Sequence, residues 1–126
     1  MPVIEFATRI VIFLSEDDRL GHHGLHHVII DRARDDGMAG ATVWRGIEGF
    51  GSGGHVRTKR FPDAATGLPL AVELLDTPDR IEAFLPVVHE LAPGSLVTRE
   101  QVQLIRYGAP PPRGLDDPRP KQTHQS

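Results

Sequence analysis

Along the first stretch of the chain, apolar side chains fall on alternate positions at Ile4, Phe6, Ile10, Ile12 and Leu14, while Val11 and Phe13 add apolar weight to the other side. A period of two with both sides apolar predicts a central strand, covered on both faces. Ser15-Glu16-Asp17-Asp18 offers capping groups ahead of a helix in which Leu25, Val28, Ile29 and Ala33 follow the i, i+3, i+4, i+8 spacing, and Asp36-Gly37 ends it. Residues 40–47 predict a second strand and residues 68–75 a third, with Gly46, Gly49, Gly51, Gly53 and Gly54 crowding the loop between them. Thr77-Pro78-Asp79 opens a second helix, with Thr as N-cap, Pro at the first position and an acid in the first turn. Ile81, Phe84, Leu85, Val88 and Leu91 form its buried stripe, Pro86 predicts a kink or a position that needs no partner carbonyl, and Gly94 closes it. A last strand is expected at Leu96-Val97 and again from Val102 to Tyr107, interrupted by Thr98-Arg99-Glu100.

The order strand, helix, strand, strand, helix, strand is the split βαβ arrangement, so the expected fold is α+β, ferredoxin-like βαββαβ, with an antiparallel sheet. Beyond Tyr107 the prolines 110, 111, 112, 118 and 120 dominate a stretch with little apolar surface to offset its ordering entropy. Residues 1–107 are therefore the expected domain and residues 108–126 a flexible, Pro-rich tail. The loop 52–66 is expected to be mobile without ligand, with Arg57, Lys59 and Arg60 as its first points of proteolysis, because only Val56 and Phe61 give it apolar weight.

Composition narrows the function. The 126 residues carry 39% hydrophobic and 25% charged side chains with a formal net charge of -3 and no basic cluster, which argues against nucleic acid as a partner. With no cysteine, the chain has no disulfide, thiolate nucleophile or iron-sulfur site. No apolar run approaches the roughly 20 residues of a membrane span, and a cytoplasmic location is expected.

Three groups of residues carry candidate chemistry. Gly46, Gly49 and Gly51 allow positive φ and close backbone approach, so free N–H groups there can form an anion-binding concavity; equally, they can make a tight bend with Phe50 packed at an interface. In His22-His23-Gly24-Leu25-His26-His27, a helix would place His22 with His26 and His23 with His27 at i, i+4, a chelating spacing, with His22 and His26 beside the apolar stripe. No acid follows at the next turn, so a third ligand must come from elsewhere, and partly buried or interface histidines are the alternative. Glu73 is a carboxylate inside a strand, placed to pair with Arg45 across the hairpin or to serve as a weak base candidate. Neither a Gly-x-Ser-x-Gly elbow, a Walker loop nor a His-Glu-x-x-His motif occurs, so no catalytic residue is assigned and no enzyme is expected.

The segment from Gly37 to Gly51, GMAGATVWRGIEGFG, resembles the signature of the PII-like family known as domain of unknown function family 190. Leu68-Pro69, Val72-Glu73, the run from Arg80 to Pro86, Leu96-Val97-Thr98 and Ile105-Arg106-Tyr107 match that family in the same order, covering the whole expected domain. The resemblance implies a trimer similar to the PII signal-transduction proteins, a long flexible loop between the second and third strands, and a nucleotide cleft between subunits beside Gly49-Phe50-Gly51. It also implies a partner such as a membrane transporter or a fluoride channel. The lysine-bearing phosphate loop of PII proteins has no counterpart, since residues 92–98 contain no lysine. An anionic ligand would then rely on Arg45, Arg57, Lys59, Arg60 or Arg106, among which Arg45 and Arg106 end strands and would meet across a subunit boundary. The competing reading makes Arg45 and Arg106 salt bridges between strands or subunits.

The expected protein is thus a trimeric, cofactor-free regulator that binds a nucleotide or anion at intersubunit clefts through Arg45, Gly46, Gly49, Phe50, Gly51 and Arg106, and acts on a partner through its loop. Two alternatives remain: a histidine-based metal-binding trimer resembling copper-tolerance proteins, and a small cofactor-free ferredoxin-like enzyme.

Overall fold

The computed structural model describes residues 2–51, 54, 56–58 and 67–108, with side chains from Glu5 onward. The chain opens with a long strand β1 (Pro2–Ser15), followed by a two-residue ribbon of β2 (Arg19–Leu20) and β3 (His23–Gly24), and helix α1 (Leu25–Asp35). Strand β4 (Gly40–Arg45) leads into a second ribbon of β5 (Glu48–Gly49) and β6 (Arg57–Thr58). Strand β7 (Pro69–Asp76), helix α2 (Pro78–Leu91) and strand β8 (Leu96–Tyr107) complete it.

The main sheet runs β4-β7-β1-β8 with every neighbouring pair antiparallel, which is the ferredoxin-like order the pattern predicts. Register explains the core. Ile12 lies opposite both Val72 and Val97, and Val72 opposite Val43, so one face collects Ile10, Ile12, Leu14, Leu70, Val72 and Leu74. Both helices cover that face with Leu25, Ile29 and Ala33 from α1 and Ile81, Phe84 and Val88 from α2. Each fully buried aliphatic side chain there contributes about 1.5–3 kcal/mol.

Among the described residues, no helix covers the opposite face. Phe13, Trp44 and Leu96, at positions one step out of phase with the core, are 45%, 60% and 67% exposed. Arg9 sits among them, 3.6 Å from Glu73 and paired with Glu100, and its Nε is buried with no hydrogen-bond partner among the described residues. From Pro2 to Ala7, β1 pairs with β8 alone, forming a ribbon that carries the exposed Phe6, Ile105 and Tyr107.

Several local expectations change. Helix α1 starts at Leu25 with Gly24 as an N-cap that lends no side-chain hydrogen bond. Ser15 to Asp18 serve a turn instead: the Ser15 N–H donates to Asp18 Oδ2 at 2.8 Å, and the Leu25 N–H to the Asp18 carbonyl at 2.8 Å. Helix α2 has the expected cap, with the Thr77 hydroxyl accepting from the Arg80 N–H, and it passes through the exposed Pro86 without ending. Strand β8 is continuous, since Thr98, Arg99 and Glu100 pair with Val11, Ile10 and Arg9. Of the loop expected to be mobile, Arg57 and Thr58 pair with Gly49 and Glu48, whereas Lys59, Arg60 and the tail 109–126 lie outside the described residues.

Candidate functional site

Where β1 ends, β7 begins and the chain enters β8, the fold leaves a cleft of about 890 Å³. Its apolar floor comes from Phe13, Leu14, Pro69, Leu70 and Leu96, its outer wall from Gly49-Phe50-Gly51, and a third side from Pro93, Gly94 and Ser95 after α2. Two glycines bring the wall close. The Gly46 N–H donates to the Pro69 carbonyl at 2.7 Å, and a Cβ at Gly46 would stand 2.8 Å from Pro69 Cγ. A Cβ at Gly49 would stand 3.2 Å from the same atom, so both positions require the missing side chain for close packing. Gly67 has φ +70°, and a Cβ there would collide with Asp17 Oδ2.

Among the described residues, two charged side chains line this cleft, Asp18 and Arg57. Asp18 is occupied in part by the Ser15 N–H. Among the described residues the Arg57 guanidinium makes no hydrogen bond or salt bridge, although it and the Asp17 carboxylate both flank Gly67. The other described arginines are engaged: Arg9 with Glu73 and Glu100, Arg32 with Asp36, Arg34 with Asp31, Arg80 with Asp76 and Arg99 with Glu82, while Arg19 donates to the His22 carbonyl. A guanidinium fork that no described side chain pairs with, beside an apolar floor, suits an anionic group attached to a flat apolar body.

Gly49, Phe50 and Gly51 border the cleft, and Gly46 supports its wall against Pro69. Arg45 does not border it. Its Nε and Nη2 donate to the two Glu16 carboxylate oxygens at 2.6 and 3.3 Å, and Arg45 holds the Glu16 carboxyl below the usual carboxylate range. Arg106 stands near the end of β8, 3.4 Å from Glu5. Because β4 and β8 form opposite edges of the sheet, Arg45 and Arg106 do not meet within one chain, and both take part in salt bridges. Glu73 does not pair with Arg45, since the register sets it opposite Thr42 and its carboxylate faces Arg9.

The histidine spacing also changes meaning. His22 lies in the turn between β2 and β3, and His26 in the first turn of α1, so no shared helix presents them at i, i+4. Among the described residues no group of three His, Cys, Asp or Glu side chains is arranged to hold a metal ion. The His26 ring stacks 4.0 Å from that of His27, its Nδ1 is buried without a partner among the described residues, and burial, followed by the charge of His27, lowers its pKa.

Residues that pattern reading left out of the site are Phe13, hidden in a strand stripe, and Asp18, read as a helix cap. Arg57 was one of five cations with nothing local to distinguish it. Only the partners assigned by the fold separate it from Arg45 and Arg106. Among the described residues, no helix is long and apolar enough to cross a membrane.

Relatives extend the picture. The family model DUF190, "Uncharacterized ACR", matches residues 7–104. A UPF0166 protein of Aquifex aeolicus is 33% identical over 94 residues, covering 75% of this chain and 89% of that protein. Another, from Methanocaldococcus jannaschii, is 30% identical over 80 residues, covering 64% of this chain and 73% of its own length. Among solved structures, a PII-like protein of Thermus thermophilus aligns with TM-score 0.55 and 16% identity over 81% of this chain and 90% of its own. CPII of Thiomonas intermedia, bound to ADP and bicarbonate, aligns with TM-score 0.50 and 18% identity over 81% of this chain and 91% of its own. The sequence match and the shared fold agree: the chain belongs to the DUF190 family and is built on the PII-like fold.

Proposed function

We propose that the chain is a non-enzymatic, PII-like regulatory subunit that binds a small anionic ligand, of the adenine nucleotide or bicarbonate class, in the cleft around Arg57. The observation that carries this reading is the Arg57 guanidinium, without a hydrogen bond or salt bridge among the described residues, in a cleft with an apolar floor. The ligands held by CPII, ADP and bicarbonate, supply the chemical class to test.

The subunits assemble as a trimer through the helix-free sheet face. Phe13 and Leu96 belong to that face and also line the cleft, so a second copy packed on the face borders the ligand. Ligand occupancy is then felt at Gly49-Phe50-Gly51, and the loop beyond passes it to a partner by population shift, which requires the ligand to bind one loop state better than the other. Nothing on the described surface points to a transporter or channel as that partner.

A thermal-shift series with ADP, bicarbonate, fluoride and divalent metals tests the reading. A ligand at about 100 times its Kd stabilises the folded state by about 2.7 kcal/mol, which raises the midpoint by several degrees. The expected result is a rise with ADP, alone or with bicarbonate. A rise with metals alone would return the histidine-based alternative to the front.

A further inference from the structure

We infer that Glu16 and Arg45 form a positioning clasp that sets the width of the ligand cleft without touching the ligand. The inference rests on the ligand reading above and assigns a role to the arginine that the cleft itself leaves unused.

The cleft walls come from two segments that leave the sheet, 48–51 after β4 and 67–70 entering β7. Glu16, the first residue beyond β1, is bonded to Arg45, the last residue of β4 ahead of the first segment, and to Leu68 in the second. Its carboxylate accepts from Arg45 Nε and Nη2 at 2.6 and 3.3 Å, and from the Leu68 N–H at 3.1 Å. Its own N–H donates to the Leu68 carbonyl at 3.0 Å. One residue therefore joins the ends of β1, β4 and β7. Neither Glu16 nor Arg45 borders the cleft, whereas Ser15, the chain neighbour of Glu16, and Gly67 and Pro69, which flank the Leu68 that Glu16 holds, do, so their influence on it runs through the backbone.

The pair is half-exposed, with side chains 49% and 27% accessible, so its net contribution to stability is small. Its geometric contribution is larger. A bidentate fork fixes the direction of Arg45 relative to Glu16, and the Leu68 amide on the same carboxylate ties β7 to that direction. Pro69 follows immediately, and it is the residue against which Gly46 and Gly49 are packed. Loss of the fork loosens Pro69 and Gly49 together, and so both walls.

The test is a double-mutant cycle of Glu16→Gln, Arg45→Ala and the pair, with Arg45→Lys added, read by calorimetric titration with ADP and by hydrogen exchange at the Leu68 amide. The expected result is that each single substitution weakens ADP binding by about fivefold, with the double variant no weaker than either. Arg45→Lys recovers part of the loss because the charge remains and the fork does not. The Leu68 amide exchanges faster in Glu16→Gln, while the thermal midpoint stays close to that of the parent. Weakening by Arg45→Ala alone, with Glu16→Gln unchanged or tighter, means that Arg45 touches the ligand and overturns the clasp. Should the parent protein not bind ADP, the ligand reading fails by itself. The Leu68 amide then decides the clasp, with faster exchange in Glu16→Gln supporting it and unchanged exchange overturning it.

Discussion

Asp76→Ala is expected to destabilise the protein by about 3 kcal/mol or more, because it removes a buried charged acceptor from three donors at once. Asp76 is 3% exposed at the end of β7. Its carboxylate accepts from the Ala39 N–H at 3.0 Å, the Thr77 N–H at 2.7 Å and Arg80 Nε at 2.8 Å. Arg80 Nη2 then donates to the Asp36 carbonyl at 2.8 Å, so the end of α1, the entry to β4 and the first turn of α2 converge on one group. Burial pushes the Asp76 carboxyl up, but the Thr77 N–H, Arg80 and the Ala39 N–H outweigh it and the pKa is lowered. A carboxylate whose native pKa lies below its unfolded value stabilises the fold above the unfolded value and loses that contribution as pH falls through the native one. Urea unfolding at neutral pH is expected to show the loss. The variant is also expected to have a shallower fall in stability below the ordinary aspartate value of 3.8. A cost under about 1 kcal/mol at neutral pH would mean that the donors find other acceptors.

Val11→Asp is expected to abolish assembly while leaving the single chain folded. Val11 lies on the helix-free side of the central strand, opposite Glu73 on β7 and Thr98 on β8. That face already carries Glu73 and Glu100 against Arg9, and Glu5 against Arg106. A further carboxylate there is solvated in the free chain and buried without a partner in the assembly, at a cost of about 3–5 kcal/mol per copy. Light scattering of the parent is expected to give three times the 13.9 kDa of one chain, and of the variant 13.9 kDa with unchanged circular dichroism. A parent that scatters as a monomer would remove the trimer from the proposed function, and a variant that stays assembled would move the interface to another face.

The fold was readable where backbone geometry leaves a periodic trace. The alternation in β1 and β7 and the Thr77-Pro78-Asp79 start of α2 are such traces. The start of α1 was not, because Ser15 and Asp18 bond a tight turn with the same chemistry that caps a helix. The continuity of β8 was hidden by the polar side chains of Thr98, Arg99 and Glu100. Their backbones nevertheless pair with β1, while Arg99 reaches Glu82 on α2 and Glu100 reaches Arg9.

The close approach of Gly46 and Gly49 to Pro69 was legible for a similar reason, whereas none of Gly46, Gly49 and Gly51 takes the positive φ that glycine allows, and a Cβ at Gly51 would meet nothing within 4 Å. The charges were not legible. Which of the described arginines lacks a described partner depends on pairings between residues far apart in the chain, Glu16 with Arg45 and Glu5 with Arg106, and no local pattern encodes them.

The most direct measurement is a calorimetric titration of the parent and Arg57→Ala with ADP, in the presence and absence of bicarbonate, with oligomeric state checked in the same samples. A charge-assisted contact contributes about 1.5–3 kcal/mol, so removing it should weaken binding by on the order of tenfold or more. The account predicts saturable binding by the parent, at least tenfold weaker binding by Arg57→Ala, and an unchanged assembly. Equal affinity in the two proteins, with the assembly intact, would contradict the assignment of the ligand to this cleft.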